Sequence, residues 1–222
     1  MIYELSLVAK PDIGPEVVQE LTKIVEDVAK EYGGALLVED DWGVYNFAQP
    51  TSRGKKRGHY LNFLYRANTQ AQTEMDRRFR INENLIKHMI GWTGEDADET
   101  KIVKGYKSPF SKKFNGSITD ANKEDGEEGG GAGDDMDRDD RRSFSRRRTC
   151  WFTANNFKAD WKDPGTYAWL VNEFGKITPA RISGIKRKHQ KYANQAIKQA
   201  RQLGIASHLS NRFADRTASQ NK

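Results

Sequence analysis

Cysteine is nearly absent from the 222-residue chain, in which Cys150 is the single one. One cysteine excludes an intramolecular disulfide and removes the support that paired cysteines would give to secretion. A structural zinc site normally takes four ligands, and one thiol beside four scattered histidines does not supply them. We therefore expect Cys150 to be a small packed residue, and we expect no metal site and no cofactor.

Long apolar runs are also absent. The sequence opens directly on an apolar strand pattern, without a basic leader or an apolar signal core, and no run reaches membrane length. These features predict a soluble cytoplasmic protein without a membrane partner.

A catalytic constellation cannot be found either. The histidines have no serine or cysteine nucleophile motif at a recognisable spacing. The glycines of residues 126–133 lack the Lys-Ser/Thr pair of a phosphate-binding loop. Glu39, Asp40 and Asp41 lie in one predicted strand, where alternate side chains point to opposite faces, so we do not expect a metal there. We predict that the protein is not an enzyme.

Charge is distributed unevenly along the chain. Lys and Arg number 12 against 17 Asp and Glu in residues 1–100, 5 against 1 in 101–120, 2 against 9 in 121–140, and 18 against 4 in 141–222. Such asymmetry points to nucleic acid on one side and a protein partner on the other. We take the four segments as a folded domain, a basic extension that packs on the partner domain, an acidic Gly-rich linker and a basic helical domain.

The strongest basic pattern lies in residues 175–204, and no carboxylate falls between Glu173 and Asp215. Apolar residues recur there at three- and four-residue steps, which predicts one helix that Ser183 caps and Gly204 ends. The opposite face is basic and lacks the acidic residues of an ordinary solvated face, which favours a polyphosphate partner. The apolar stripe consists of Ile185, His189, Tyr192, Ala193, Ala196, Ile197, Ala200 and Leu203.

The first hundred residues alternate between strand and helix patterns. Their order, strand–helix–strand–strand–helix–strand, predicts an α+β fold, the ferredoxin-like split βαββαβ domain with a four-stranded antiparallel sheet. Gly43 in the second strand suggests a bulge. The predicted elements are a strand at 2–9, a helix from Pro15, strands at 35–48 and 59–67, a helix from Asn68 or Thr69, and a strand at 84–93.

The basic segment that follows the linker predicts a small all-α domain. Asp163 and Pro164 are a cap and first-turn signal for a short helix that ends at Gly175. Its expected stripe is Tyr167, Leu170, Val171 and Phe174. Two helices make a small core, so this half needs a partner surface for stability.

Two family resemblances follow from these motifs. The C-terminal segment, about residues 136–222, resembles bacterial small-subunit ribosomal protein S18. The matching residues are RRTCWFT at 147–153, Lys176, Ile177, Pro179, Arg181, Ile182, Gly184 and AIKQAR at 196–201. The N-terminal segment, about residues 1–120, resembles small-subunit ribosomal protein S6. The matching residues are Tyr3, Glu4, Pro11, Asp12, EDDWGVYNFAQP at 39–50, GHY at 58–60 and FRIN at 79–82.

The resemblances imply a structural constituent of the small ribosomal subunit, a fused S6/S18 pair that binds small-subunit rRNA without catalysis. They imply neighbouring small-subunit ribosomal proteins as further partners, and the two halves as partners of each other. The junction fits either a natural fused reading frame or a construction. The alternative function is a free-standing RNA-binding regulator of translation.

The predicted RNA-binding residues are basic. They are Arg146, Arg147, Arg148, Arg181, Lys186, Arg187, Lys188, Lys191, Lys198 and Arg201, with Arg53, Lys55, Lys56 and Arg57 in a loop of the first domain. We expect Phe144, Trp151 and Phe152 to stack on unpaired bases. Each prediction has an alternative. The arginine-rich arm could be without defined contacts, Arg181 could brace its own loop, and the loop at residues 53–57 could simply be solvated. Tyr106, Phe110 and Phe114 recur every four residues, which predicts that they anchor the extension on the partner half.

Overall fold

A computed structural model describes residues 1–108 and 150–209, and every structural statement below concerns these residues. The predictions for the linker at 121–140, and for the tail beyond residue 209, therefore lie outside the described residues. The same holds for the side chains of Phe110, Phe114, Phe144, Arg146, Arg147 and Arg148.

The N-terminal half has the predicted element order. Its elements are β1 (Ile2–Ala9), α1 (Pro15–Glu31), β2 (Ala35–Asn46), β3 (Arg57–Arg66), α2 (Thr69–Ile81) and β4 (Leu85–Gly94). The strands form one antiparallel sheet in the order β2-β3-β1-β4. The α+β ferredoxin-like prediction is confirmed.

Local chemistry explains several boundaries of these elements. Gly14 is the N-cap of α1 and Pro15 occupies its first turn, where the missing N–H costs no helical hydrogen bond. The Asn68 carboxamide accepts a hydrogen bond from the Thr69 N–H at the start of α2. Gly43 has φ +81° at a register shift between β2 and β3, as the bulge prediction required.

Each face of the sheet is covered by a different part of the chain. Leu5, Leu7 and Phe63 pack with residues of α1 and α2 in one core. Val8 and Tyr60 belong instead to a second core, which they share with residues of the C-terminal half. Because neighbouring residues of a strand point to opposite faces, Leu7 and Val8 lie in different cores.

The C-terminal half consists of short helices and turns around one longer helix. They are α4 (Trp151–Ala154), 3-10 turns at Pro164–Thr166 and Ala168–Leu170, α5 (Ala180–Ser183) and α6 (Arg187–Leu203). Before the gap in the described residues, α3 (Glu99–Gly105) follows the sheet. Within the described ranges, no helix combines the length and apolar character that spanning a membrane requires.

Two helix predictions for this half are wrong. After Asp163 and Pro164 the chain forms the two 3-10 turns instead of an α-helix, and Phe174 is 75% exposed. The backbone reverses here: Val171 forms a β-bridge with Ile177, and the side chain of Asn172 accepts the N–H groups of Phe174 and Lys176. A continuous helix would break these contacts.

The long basic helix also begins later than predicted. Ser183 ends α5, its hydroxyl donates to the carbonyl of Pro179, and Gly184 adopts φ +73°. Helix α6 starts at Arg187 with Lys186 as its N-cap residue. Its predicted end is correct, because Gly204 is its left-handed C-cap with φ +81°.

Candidate nucleic-acid interface

The exposed face of α6 carries cations without neighbouring acids. Arg187, Lys188, Lys191 and Lys198 are exposed, whereas Ala193, Ala196, Ile197, Ala200 and Leu203 are buried. Lys186 is exposed just before the helix, and so is Arg181 in α5. None of the ion pairs among the described residues uses any of these cations. The face therefore presents positive charge to a polyanion without internal neutralisation.

Arg201 is placed differently from the other predicted RNA-binding residues of α6. Its guanidinium is half-buried and donates to two backbone carbonyls, from Nε to Ser207 at 3.1 Å and from Nη2 to Gly175 at 2.5 Å. It ties the end of α6 to the turn before Lys176. Its main role in this structure is to hold the backbone.

The loop between β2 and β3 forms a second cationic region. Arg53, Lys55, Lys56 and Arg57 are all exposed. The turn is closed by a hydrogen bond from the Thr51 N–H to the Lys55 carbonyl, and Gly54 adopts φ +73° within it. The loop begins beside the end of α6, because the Ala48 N–H donates to the Gly204 carbonyl at 2.8 Å. The loop of the first half thus meets the C-terminal end of the basic helix.

A cleft of about 920 Å³ lies where the loop meets the end of α6. Its cationic lining includes Lys10, Arg53, Lys55, Arg80, Lys87 and Arg201, and among the described lining residues Glu83 is the one carboxylate. Burial lowers the pKa of Lys87. Burial and the charges of Arg201 and Lys87 lower the pKa of His208 at the same cleft. Burial is the larger cause of the lowered imidazole pKa, and the two cations add to it.

A buried polar cluster joins the two halves on the other side of the shared core. The ammonium of Lys162 forms an ion pair with Glu4 of β1 and lies 4.2 Å from the ring centroid of Tyr106. The Tyr106 hydroxyl donates to Asp40 and accepts from Asn62, both at 2.9 Å. Burial and the nearby Asp40 raise the pKa of that phenol. Tyr106 therefore lies between the sheet and Lys162 of the C-terminal half.

Sequence reasoning missed Lys162 as an interface residue. No motif or residue spacing in the sequence marks Lys162, because its role depends on the contact with Glu4, 158 positions away in the chain. Cys150 is buried as expected, and its Sγ accepts the Lys186 N–H at 3.3 Å. No group of three or more acidic, histidine or cysteine side chains among the described residues is placed to hold a metal.

A basic helical unit packs on one face of a ferredoxin-like sheet, and its exposed cationic surface is the kind expected of a nucleic-acid-binding protein. Residues 2–91 match the family model of Ribosomal protein S6, and residues 155–206 match that of Ribosomal protein S18. The chain belongs to the S18 family through its C-terminal half, and its N-terminal half matches the S6 family model. Both resemblances predicted from the sequence are confirmed.

Individual relatives agree with this assignment. Small ribosomal subunit protein bS18 of Syntrophobacter fumaroxidans is 45% identical over 69 residues, which are 31% of this chain and 85% of the relative. The bS18 protein of Anaeromyxobacter dehalogenans strain 2CP-1 is 45% identical over 81 residues, which are 36% of this chain and 54% of the relative. The chain thus spans about half the length of that protein.

A solved structure also resembles the N-terminal half. The 30S ribosomal protein S6 of Thermotoga maritima has 20% sequence identity and a TM-score of 0.39. The match covers 45% of this chain and 92% of that one.

Proposed function

We propose that this chain is a structural constituent of the small ribosomal subunit that supplies the S6-like and S18-like components as one polypeptide. It binds small-subunit rRNA, contacts neighbouring small-subunit proteins and is ribosome-bound. The observation that carries the proposal is the presence of both family domains in one chain, one of them bearing a cationic face without acids. Both families are typically non-catalytic.

RNA binding by this surface is mainly electrostatic. Lysine and arginine side chains that neutralise phosphates release condensed counterions, which makes affinity fall with salt and depend little on sequence. On α6, Lys191 and Lys198 are seven residues apart, which places them about 10 Å apart along the helix axis. Cations held at a fixed spacing on a helix contact phosphates at a fixed spacing on the backbone of a folded RNA. The proposed contact set is Arg146, Arg147, Arg148, Arg181, Lys186, Arg187, Lys188, Lys191 and Lys198, joined by Arg53, Lys55, Lys56 and Arg57.

The two halves are proposed to pair within one chain. The proposed units are a domain at residues 1–100, an extension at 101–120, a linker at 121–140 and a helical domain at 141–222. Two contacts support the pairing: the shared apolar core around Tyr60, and the buried ion pair between Glu4 and Lys162. The sequence predicts that residues 121–140 are a Gly-rich linker, and a linker of about twenty residues gives an effective concentration in the millimolar range. Pairing then needs no second molecule.

Co-sedimentation with small ribosomal subunits in moderate salt tests the main proposal. We expect the full chain to sediment with the subunits, and we expect replacement of Lys191 and Lys198 by alanine to reduce the bound fraction. The matched control replaces the exposed Lys23 and Lys30 of α1, on the opposite side of the sheet from the shared core. A chain found only in the non-ribosomal fractions would support the alternative of a free regulator, which the matched families do not favour.

The pairing proposal has its own experiment. A specific protease site placed within residues 121–140 allows the tether to be cut after folding. We expect the intact chain to remain monomeric with its halves together on dilution, and the cut halves to separate at nanomolar concentration. An intact chain that runs as a dimer with exchanged halves would contradict pairing within one molecule.

A further inference from the structure

A stack of aromatic rings in the C-terminal half runs from its surface to α6. The ring centroid of Trp151 lies 6.0 Å from that of Phe157, at an interplanar angle of 24°, and 5.6 Å from that of Trp169. Phe152 continues the stack inward, 5.9 Å from Trp169, and lies parallel to the imidazole of His189 at 5.5 Å. Phe152 is only 1% exposed, but Phe157 and Trp169 are 48% and 38% exposed. The outer end of a rigid stack is therefore open to solvent.

The surroundings of the stack are cationic. The hydrogen bond from the Lys186 N–H to Cys150 Sγ holds the start of the basic helix against the turn that carries Trp151. Lys158 follows Phe157 directly, and its ammonium lies 4.8 Å from the ring centroid of Tyr192. Planar apolar rings beside exposed positive charge match a ligand that combines flat aromatic groups and anions.

We infer that Phe157 and Trp169 form a stacking platform for unpaired bases of the RNA, whose phosphates lie along Lys158 and residues 186–188. The inference rests on the proposed function and adds a contact that is not electrostatic. An acidic protein partner would satisfy the cations, but it would leave the flat ring faces without a matching group. Base stacking on aromatic side chains is largely independent of sequence and adds to phosphate contacts. Exposure of the rings is then explained, because a platform must be open to its bases.

The platform differs from the one that the sequence predicted. Phe152 was expected to stack on bases, but it is buried and stacks on His189 instead. Phe157 and Trp169 were not singled out, because they are separated in the chain and meet only through Trp151. Phe152, the buried ring, holds the stack in place, and the exposed rings of Phe157 and Trp169 remain available for contact with bases.

The test compares two probes on the full chain. An unstructured ten-residue oligoribonucleotide offers bases and phosphates, whereas inorganic tripolyphosphate offers negative charge without bases. We expect Phe157→Ala to weaken oligonucleotide binding roughly tenfold, with tripolyphosphate binding unchanged. Phe157→Leu retains an apolar side chain but removes the aromatic face, so we expect most of the same loss with an unchanged fold. The control Phe174→Ala removes a 75% exposed aromatic side chain outside the stack, and it should change neither affinity.

Several outcomes would overturn the platform. They are unchanged oligonucleotide affinity in Phe157→Ala, equal weakening of both probes, or full affinity in Phe157→Leu. Loss of subunit incorporation together with unchanged oligonucleotide affinity would identify the rings as a protein-docking surface and would also overturn it. The proposed function fails separately, if the wild-type chain does not co-sediment with small subunits although the oligonucleotide binds through Phe157.

Discussion

Lys162 of the C-terminal half and Glu4 of β1 form an ion pair with 2.5 Å between Nζ and Oε1, and their side chains are only 9% and 16% exposed. The ammonium also lies over the ring of Tyr106, which the extension after α3 brings to this point. One cation therefore contacts the sheet and the extension while it belongs to the helical half. Substitution of Lys162 should therefore weaken the association of the two halves.

Lys162→Met should destabilise the folded chain by about 3 kcal/mol, because it leaves the largely buried Glu4 carboxylate without a counter-ion and with the hydrogen bond from Asn62 alone. Urea denaturation measures the loss. The control Lys101→Met breaks the exposed pair with Asp98 and should have no measurable effect. Adding Glu4→Gln to Lys162→Met should recover part of the loss, since it removes the unpaired charge. Losses of equal size in Lys162→Met and Lys101→Met would show that burial does not strengthen this pair.

Replacing Lys191 and Lys198 by alanine should make rRNA binding less sensitive to salt. Each phosphate contact contributes close to one unit to the slope of log affinity against log salt, so two lost contacts reduce the slope by about 1.5 to 2. Filter binding of a small-subunit rRNA fragment at several salt concentrations gives the slope. Circular dichroism of the variant should be unchanged, since both side chains are exposed. The Lys23→Ala, Lys30→Ala variant, altered on α1, should keep the original slope.

Gly204→Ala should loosen the contact between α6 and the β2–β3 loop. The residue has φ +81°, and an added Cβ would lie 2.9 Å from Cδ1 of Phe47. Strain from a positive φ costs about 1–3 kcal/mol, and the collision with Phe47 adds to it. Thermal unfolding should show the loss. Gly105→Ala is the matched control, because its Cβ would meet no atom within 4 Å, and it should leave stability equal or slightly higher.

The imidazole of His208 should titrate below its ordinary pKa of 6.5 in the free protein. A pKa lowered in the folded state means that the unfolded chain binds the proton more readily, so any stability from this group is present above pH 6.5 and is lost as pH falls. NMR titration of the ring protons measures the value. Lys87→Gln should raise it by removing one of the cations responsible, whereas Lys101→Gln should not change it. Phosphates bound in the cleft should also raise it.

Periodicity and turn residues were sufficient to predict the N-terminal fold. Apolar-rich strand patterns in β1 and β3, together with Pro15 and Asn68 at helix starts, placed each element within a few residues of its observed bounds. These signals are local, so a single sequence carries them.

The errors arose where contacts outside the helical repeat outweighed the cap and periodicity signals. The cap signal of Asp163 and Pro164 is real, since the Asp163 carboxylate accepts the Gly165 N–H, but the Tyr167 hydroxyl donates to the Trp161 carbonyl and the chain stays in 3-10 turns. Arg201 fitted the basic stripe in sequence, yet carbonyls of Gly175 and Ser207 occupy its donors. Neither carbonyl is visible to a helical periodicity argument.

The second face of the sheet has a consequence for the order of synthesis. Val8, Tyr60 and Met89 are made early, but the Tyr60 hydroxyl meets its acceptor, the Leu203 carbonyl, only at the end of α6. Between the end of β4 at Gly94 and Leu203 the ribosome adds 109 residues, which takes about 5–20 s at ordinary elongation rates. During that interval the nascent sheet exposes an apolar face. Because α6 belongs to the same polypeptide, each sheet is covered by a helix made in the same round of translation.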